Sequence, residues 1–269
     1  MVSDAGAHLV AGDLQDRFSL NVALKASKPD VVLHYGALTS VGQSFYMPEA
    51  FCKTNYLGTI NLINAVRDYG HIERVYYIAT TESLKSREKP HSEFNYEYSA
   101  NSPYGISKLA SELYCQHACK AFGVPITIIR YNNTFHRKTS KHFLTETIVT
   151  QLLKGPKVIL KGTTKIKRTW TIIDDVVDGT LKLLKNSKEG ELYHIVNPEN
   201  QATIRGLINI TAKILGYENV EVVEGVEPRP WDPLCLCLTS ERFSEIGWKP
   251  KYPLEEALKM VAQYWKDKV

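Results

Sequence analysis

Strand-like and helix-like patterns alternate along the first half of this chain, and this rhythm constrains the fold more than any single residue does. The clearest strand is the β-branched run from Val31 to Tyr35, which ends at Gly36 as a buried parallel strand would. Strands that alternate with helices predict right-handed crossovers and an α/β fold with a doubly wound parallel sheet. The predicted strands are residues 8–11, 31–35, 75–79 and 125–130, and the predicted helices are residues 18–27, 48–69 and 104–122.

The pattern becomes mixed after Asn133, where strands and helices no longer alternate regularly. We therefore expect a main domain over residues 1–133 and a smaller mixed α/β lobe over residues 134–269 that faces the substrate. Residues of about 155–185 are expected to return to the main sheet. The polar stretch from Thr80 to Asn101 is too long for a plain connection, so we expect it to carry function. The lobe has predicted helices near 143–154, 174–185, 203–215 and 254–266, and predicted strands near 158–160, 193–196 and 220–223.

The composition is that of an ordinary globular protein, with 269 residues of which 43% are hydrophobic and 23% charged. The net charge of +4 is evenly spread, and no basic stripe interleaved with aromatic residues indicates a nucleic-acid partner. The densest basic stretches, 137–142 and 161–168, fit solvated loops and a site for a small anion such as a diphosphate equally well. No window reaches the about 18 apolar residues that a membrane span needs, so no membrane partner is expected.

The cysteine and histidine residues predict neither a disulfide framework nor a metal site. The cysteines are odd in number, and the stretch from Met1 to Gly6 has no features of a signal peptide, so we expect a cytoplasmic protein with reduced thiols. Cys115 and Cys119 lie four residues apart on a predicted helix, but no second pair completes a zinc site, and core packing explains them better. No HExxH pattern is present. We therefore predict no bound metal.

Tyr104 and Lys108 are the most informative pair of residues. They are spaced to share one face of a helix. A free tyrosine titrates near pH ~10, too high for a base at neutral pH, and a neighbouring ammonium lowers that value. The spacing alone also fits a surface Tyr and Lys that happen to lie one turn apart. The pair therefore needs support from its context.

That context is more specific. Tyr104 and Lys108 belong to the segment Ser-Pro-Tyr-Gly-Ile-Ser-Lys at 102–108, downstream of a strand that ends in Ala-Thr-Thr at Thr81. This arrangement resembles the extended short-chain dehydrogenase/reductase family, the NAD-dependent nucleotide-sugar epimerases and dehydratases. The resemblance covers nearly the whole chain. It implies a Rossmann-like domain that binds NAD, and a nucleotide-diphosphate sugar as the substrate.

Further segments resemble motifs of the same family, in the same order. Residues 55–62 match its Asn-x-x-Gly-Thr-x-Asn-Leu helix, and residues 29–37 resemble its Pro-Asp-x-Val-x-His-x-Ala-Ala strand. Several such matches in order are more specific than any one alone. The other matching segments are residues 12–16, 130–135, 174–176, 229–232 and 247–250, together with Arg168.

The resemblance implies a role for each matching residue. Tyr104 is expected to act as general base on a sugar hydroxyl, Thr81 to hydrogen-bond the same oxygen, and Lys108 to lower the pKa of Tyr104. Glu82 would assist the loss of water in a dehydratase. The residues expected to bind the cofactor NAD are Asp13, Leu14, Gly36, Ala37, Asn55, Tyr104, Lys108 and Tyr131. Those expected to bind the substrate are Thr39, Asn133, Arg168, Arg229 and Asp232, with the arginines gripping the diphosphate.

Some of these residues also have purely structural explanations. Asn55 would cap or bridge helix backbone, and Arg168 would lie on the surface of a basic loop. Asp174 and Asp175 precede a predicted helix, where N-capping explains at least one of them. Trp248 is better explained as a core residue than as a ligand contact, since it stands between Gly and Pro in a turn.

The chain departs from the family pattern at its start. A dinucleotide fold opens with a strand, a Gly-rich turn and a helix that together hold the pyrophosphate. Gly6 and Gly12 do not fit that Gly-rich pattern, so the chain is expected to begin inside the fold. The explanations are a truncation, a unit supplied by another chain, or weak binding of NAD. An exposed sheet edge would follow and predicts association into a homodimer or larger assembly.

The end of the catalytic strand and the substrate lobe depart as well. Dehydratases of this family place an acidic pair or Ser-Glu after the Thr, and then Tyr-Gly. Counted from Thr81, the carboxylate of Glu82 stands one position early, and the Tyr-Gly is replaced. In the lobe, His136 and Arg137 replace Gly-Pro, and Thr169 replaces the Asp of Arg-Asp-Phe. These differences bear on the shape of the substrate pocket.

Three functions are compatible with these residues. The first choice is an NAD-dependent 4-epimerase of a nucleotide-diphosphate sugar that works through a 4-keto intermediate, because an epimerase needs no carboxylate after the Thr. The alternative is a nucleotide-sugar 4,6-dehydratase. A third possibility is a non-catalytic relative or partner subunit that binds a sugar nucleotide. The missing Gly-rich unit favours the third, and the retained Thr, Tyr and Lys oppose it.

Overall fold

The computed structural model describes residues 5–136, 143–225 and 231–269. These residues form two compact units. The first unit consists of the described residues within Met1–Ser83, Ala100–Ile129 and Ser187–Leu192, and the second of those within Leu84–Ser99, Arg130–Asn186 and Tyr193–Val269. Residues 187–192 therefore return to the first unit, whereas the segment for which a return is predicted, 155–185, lies in the second unit.

Helices and strands alternate in the first half of the chain as predicted. Up to residue 131 the elements are α1 (Arg17–Ser27), β1 (Val31–His34), α2 (Val41–Ser44), α3 (Pro48–Phe51), a π-helical turn (Cys52–Leu57), α4 (Gly58–Tyr69), β2 (Arg74–Thr80), a 3-10 turn (Thr81–Ser83), α5 (Pro103–Phe122) and β3 (Ile126–Tyr131). After it follow β4 (Asn133–Phe135), α6 (Leu144–Leu152), β5 (Lys157–Ile159), β6 (Lys167–Ile172), α7 (Ile173–Asn186), β7 (Leu192–His194), β8 (Gln201–Thr203), α8 (Ile204–Ile214), β9 (Glu221–Val223), β10 (Cys235–Leu236), α9 (Glu241–Glu245) and α10 (Leu254–Lys266). None of the helices in the described ranges combines the length and the apolar character that crossing a bilayer requires.

The first sheet has the strand order β1-β2-β3-β7, in which β1 and β2 run parallel, and the first unit contains β1, β2 and most of β3. A helical segment lies between β1 and β2 in the chain, and α5 lies between β2 and β3. This arrangement confirms the predicted α/β class. Gly70 and Gly123 end α4 and α5 in the left-handed conformation, with φ of 73° and 65°, which glycine adopts without steric cost.

β1 is the outer strand of this order, and it is more exposed than its β-branched sequence predicts. Val31 and Leu33 are 38% and 41% exposed. Residues 8–11, predicted as a strand, form none, and Leu9 is 81% exposed. A strand exists only where a neighbour exchanges backbone hydrogen bonds with it, and a sequence pattern does not report whether that neighbour is present.

β6 is the central strand of the second unit. It pairs with β4 and β10 in parallel and with β8 antiparallel. The sequence patterns do not predict it, because its residues Lys-Arg-Thr-Trp-Thr-Ile look polar although most of them are buried. Trp170 of this strand belongs to a hydrophobic cluster that also contains side chains of α6, α8 and α10. This cluster is the main core of the unit.

A buried carboxylate, Glu93, anchors the polar segment between β2 and α5 in the second unit. One of its oxygens accepts the backbone N–H of His194 at 3.0 Å. Burial holds the pKa of His194 well below its usual range, so its ring is neutral. Its Nδ1 donates to the Thr239 carbonyl oxygen at 2.9 Å, and its Nε2 lies 3.1 Å from Nη1 of Arg130. In the stretch from Thr80 to Asn101, which the sequence predicts to carry function, Glu93 therefore has a structural role: it holds the segment in place.

Gly179→Ala should destabilise the second unit by about 1–3 kcal/mol, the usual cost of overpacking a core. A Cβ on Gly179 of α7 would lie 2.7 Å from Cγ2 of Ile195 and 3.2 Å from the Trp248 ring, and both side chains are buried. The matched control is Gly206→Ala on α8, where a Cβ meets only ordinary contacts of 3.5 Å. Chemical denaturation would measure both, and equal stabilities for the two variants would contradict the packing around Gly179.

Candidate active site

The amino end of α5 meets the turn that follows β2 at close range. The Ser102 hydroxyl caps α5 by accepting the N–H of Gly105 at 3.0 Å, and Pro103 occupies the first turn. A Cβ atom on Gly105 would collide with the backbone carbonyl oxygen of Glu82. The glycine next to Tyr104 is therefore required by this contact, which brings the start of the helix against the end of the strand.

The hydroxyl that hydrogen-bonds Tyr104 belongs to Thr80, the last residue of β2. The hydroxyl that the sequence predicts to bond the substrate oxygen is that of the next residue, Thr81. Thr81 is buried and begins the 3-10 turn. Side chains alternate between the two faces of a strand, so a difference of one residue exchanges the group that faces the helix. The pattern Ala-Thr-Thr offers two adjacent hydroxyls, and only the observed end of the strand distinguishes them.

Tyr104 is buried, and burial raises its pKa to about 12. The hydrogen bond from Thr80 lowers this pKa, and the nearby Glu82 carboxylate raises it further. The groups that act on Tyr104 are thus Thr80 and Glu82 rather than Lys108 as expected. The Lys108 ammonium lies 4.3 Å from the centroid of the Tyr77 ring. Tyr104 is consequently a neutral phenol at neutral pH in this structure.

Lys108 is a buried cation with a second ionisable residue, Glu112, one turn further along α5. Burial lowers the pKa of Lys108 to about 8, and the neighbouring Cys115 and Glu112 oppose that effect. Burial also raises the pKa of the Cys115 thiol. The motifs in the sequence do not single out Glu112, although residues four positions apart on a helix are neighbours, and this spacing from Lys108 could have indicated the contact.

Asn55 uses its side-chain amide to join two segments of the first unit. Its Oδ1 accepts the N–H of Leu38 at 2.8 Å, and its Nδ2 donates to the Leu38 carbonyl and to the Ser107 hydroxyl at 3.0 Å each. The Asn55 carbonyl accepts the Ser111 hydroxyl at 2.9 Å. These contacts correspond to the bridging explanation, and they orient the face of α5 that carries Tyr104.

The predicted cofactor residues near the start of the chain form a turn packed on α4. The exposed Asp13 carboxylate accepts a backbone N–H two residues further on at 2.8 Å. Leu14 occupies the space that a side chain would take at two glycines: its atoms lie 3.0 Å from an ideal Cβ on Gly36 and 2.8 Å from one on Gly58. The loop after β1 also contains Ala37, predicted to bind the cofactor, and Thr39, predicted to bind the substrate.

The remaining predicted substrate residues belong to the second unit. Arg168 is buried on β6, and its Nη1 donates to the carbonyl of Lys167 at 2.9 Å, so it is not a residue of a surface loop. Asn133 lies on β4, next to β6 in the sheet. Asp232 lies just before β10, and Arg229 falls outside the described residues. The described members are therefore carried by or adjoin one sheet.

Several other motif residues have structural partners in this unit. Asp175 does not cap α7; its carboxylate accepts two backbone N–H groups of the segment before α10, at 2.8 and 3.3 Å. Trp248 is buried and donates from Nε1 to Asp178 at 2.9 Å, which agrees with a core position. The hydroxyl of Tyr131, a predicted cofactor residue, lies 3.0 Å from Oγ1 of Thr180 on α7.

Known proteins are similar to this chain in sequence and in fold over nearly its whole length. A family model described as GDP-mannose 4,6 dehydratase matches residues 2–261. The dTDP-D-glucose 4,6-dehydratase of Bos taurus is 27% identical over 263 residues, which cover 96% of this chain and 74% of the bovine protein.

Solved structures agree with this result. The structure of DesIV, a dTDP-glucose 4,6-dehydratase from Streptomyces venezuelae with NAD and TYD bound, is 26% identical, with a TM-score of 0.84 over 96% of this chain and 79% of that one. A UDP-glucose 4-epimerase from Thermus thermophilus in complex with NAD superimposes with a TM-score of 0.86 over 98% of this chain and 86% of that one. Its 24% identity speaks for the fold alone.

Glu112→Gln should lower the pKa of Lys108 below its value of about 8. The substitution removes the carboxylate that favours the charged ammonium, while the burial that disfavours it remains. The pKa would be measured by NMR titration of carbon-13-labelled lysine side chains, with Lys108→Arg for assignment.

The matched control for this titration is Glu255→Gln on the exposed face of α10, where the carboxylate lies 2.8 Å from Lys259. It should leave the titration of Lys108 unchanged. A Lys108 pKa that is the same with and without Glu112 would show that the carboxylate does not act on the ammonium.

Proposed function

The chain belongs to the family whose model is described as GDP-mannose 4,6 dehydratase, and from this we propose that it is an NAD-dependent 4,6-dehydratase of a nucleotide-diphosphate sugar. The family assignment agrees with the resemblance to extended short-chain dehydrogenases/reductases that the motifs carry. It makes the protein an enzyme of the epimerase or dehydratase type. The sequence alone favours a 4-epimerase. We propose a dehydratase instead because of the residues that follow the end of β2.

The position of Glu82 relative to Thr80 carries this choice. Because Thr80 is the hydroxyl that bonds Tyr104, the residues that follow it are Thr81 and Glu82. A hydroxyl followed by a carboxylate is the Ser-Glu type of pair that dehydratases of this family place after the Thr. Counted from Thr80 instead of Thr81, the carboxylate of Glu82 therefore stands at the position where the dehydratases have their Glu. Its effect on the pKa of Tyr104 indicates that the two side chains are close enough to interact.

The donor chemistry of the first unit fits NAD. A phenol, a hydroxyl and a buried ammonium come from Tyr104, Thr80 and Lys108, which belong to the end of β2 and one face of α5. NAD, when bound, supplies the acceptor and later the donor of a hydride. Lys108 would hold its ribose, and the loop with Gly36 and the turn with Asp13 would adjoin its diphosphate and adenine.

The residues of the site divide the proton transfers between them. The ionised form of Tyr104 takes the proton of the sugar hydroxyl at carbon 4, and Thr80 donates a hydrogen bond to the phenolic oxygen that stabilises this anionic form. The keto group formed at carbon 4 acidifies the proton at carbon 5. Glu82 is the carboxylate that removes this proton, and the hydroxyl at carbon 6 takes up a proton from solvent, to which Tyr104 releases its own, and leaves as water. Return of the hydride to carbon 6 and of the proton from Glu82 to carbon 5 gives a 4-keto-6-deoxy sugar.

We assign recognition of the nucleotide diphosphate to the second unit. Arg168 is a guanidinium that is almost fully buried, and electrostatic contacts are stronger away from bulk water. The planar fork of a guanidinium matches the oxygens of a diphosphate and forms charge-assisted hydrogen bonds with them. Asn133 is a neutral donor on the neighbouring strand β4, in register with Trp170. Asp232 belongs to the proposed set as well, and Arg229, which the sequence adds to it, lies outside the described residues.

A 4-epimerase remains the second candidate, since Thr81 replaces the first acid of an acidic pair and an epimerase needs no carboxylate here. The products separate the two activities. Incubation with NAD and dTDP-glucose, UDP-glucose or GDP-mannose should give a product lighter by one water molecule, detected by mass spectrometry. An isomer of unchanged mass would identify an epimerase. Absence of NAD binding at millimolar concentrations would favour the non-catalytic alternative.

Glu82→Gln should reduce the formation of the dehydrated product by at least about 100-fold, the lower range for loss of a general acid or base. Binding of the nucleotide diphosphate should persist, because the amide keeps the shape of the side chain. The control is Glu88→Gln, an exposed glutamate six residues further along the chain. A turnover of Glu82→Gln equal to that of this control would exclude Glu82 from the reaction.

Thr80→Val should lower kcat by about 10- to 100-fold, because it removes a hydrogen bond that favours ionised Tyr104 while keeping the side-chain volume. Thr81→Val is the matched comparison, and it should retain most of the activity. The comparison of kcat at several pH values measures both effects. If Thr81→Val were the more damaging substitution, the hydroxyl predicted from sequence would be the reactive one.

A further inference from the structure

Cys235 and Cys237 place two thiols next to each other in the second unit. Their sulfur atoms are 3.9 Å apart. Cys235 is partly exposed, and Cys237 is fully buried. The main chain around them is held in place: the N–H of Cys235 donates to Ser86 at 3.0 Å, and the Cys237 carbonyl accepts the N–H of His91 at 2.8 Å.

The geometry of this pair is compatible with a disulfide. Residues separated by one position in extended backbone point to the same face, with Cα atoms about 6.6 Å apart. Disulfides span Cα separations of about 4.4–6.8 Å, with a bond of about 2.05 Å. Side-chain rotations that bring each sulfur about 1 Å closer therefore suffice, with little movement of the anchored backbone.

We propose that Cys235 and Cys237 form a thiol–disulfide exchange site, which a low-molecular-weight disulfide such as glutathione disulfide oxidises to a Cys235–Cys237 disulfide. The Cys235 thiolate attacks one sulfur of glutathione disulfide, which forms a mixed disulfide and releases one glutathione. Cys237 then attacks the Cys235 sulfur and releases the second glutathione. In total the two protein thiols lose two electrons and two protons, and the oxidant is reduced to two glutathione molecules.

The surroundings of Cys235 and Cys237 give the two thiols different roles in the exchange. Cys235 is the accessible one and is therefore the first to react. Burial, followed by the adjacent Cys235, raises the pKa of Cys237 to about 12, whereas Lys167 and Thr169 lower it. Once Cys235 is in a mixed disulfide, its share of this increase disappears and the lowering groups remain. The second step is also intramolecular, which offsets the low fraction of thiolate.

The site adjoins a residue of the proposed nucleotide pocket. β10 pairs with β6 so that Cys235 is in register with Lys167, and Leu236 with Arg168. The thiols that would be oxidised therefore belong to β10 and the residue after it, and β10 is the strand next to the one that carries Arg168. The existence of the disulfide site is independent of the proposed dehydratase activity and is tested without substrate.

The experiment exposes the whole protein to glutathione disulfide, alkylates the remaining thiols and maps the peptides by mass spectrometry. The peptide that contains Cys235 and Cys237 should lose two hydrogen atoms and resist alkylation, and dithiothreitol should reverse both changes. Cys52 is an internal control: it is an exposed thiol of the other unit, and it should keep a bound glutathione.

Two variants separate the steps of this exchange. Cys237→Ser should trap glutathione on Cys235, and Cys235→Ser should leave the buried Cys237 unreacted. Retention of glutathione on Cys235 in the wild-type protein would overturn the proposal, as would two alkylatable thiols at these positions under conditions that fully modify Cys52.

Discussion

The contact between the start of α5 and the turn after β2 is the constraint on which the candidate site depends. Gly105 has no Cβ, so the helix approaches the Glu82 carbonyl closely enough for Tyr104 to reach Thr80. Any larger residue would push the helix away from the strand end. The glycine of the Tyr-Gly pair thus determines the position of Tyr104, the proposed general base, although it takes no part in the proposed chemistry.

Burial is the second constraint on the site, because it shifts the pKa of Tyr104 and the pKa of Lys108 in opposite directions. It raises the pKa of Tyr104 to about 12 and lowers that of Lys108 to about 8. A buried site of this kind destabilises the charged forms that the proposed reaction needs. Thr80 lowers the pKa of Tyr104 and Glu112 raises that of Lys108, and both contacts counter the effect of burial. Such groups are commonly maintained at some expense of stability in active sites.

The second unit buries many polar groups, and these groups need hydrogen-bond partners within the protein because water does not reach them. Glu93 accepts the backbone N–H groups of His194 and Glu241, and Asn132 donates to the carbonyl of Leu236 at 2.7 Å. These bonds satisfy groups that would be costly if left unpaired. Polar residues of β6 are paired in the same way: Thr169 accepts the N–H of Leu238, and Thr171 accepts the N–H of Asn197. A pattern of hydrophobicity does not find buried strands of this kind, which is why β6 escapes prediction.

The sequence by itself determined the α/β class, most of the helices and the family, because hydrophobic periodicity, capping residues and ordered motifs are local properties. It also identified Tyr104 and Lys108 through their spacing on one helix. Only the tertiary structure decided which of two adjacent threonines meets Tyr104, since that depends on where β2 ends against α5. It likewise decided that residues 8–11 form no strand and that β6 does, because hydrogen-bonded neighbours and long-range packing make a strand. Contacts between residues distant in the chain are not encoded in any local pattern.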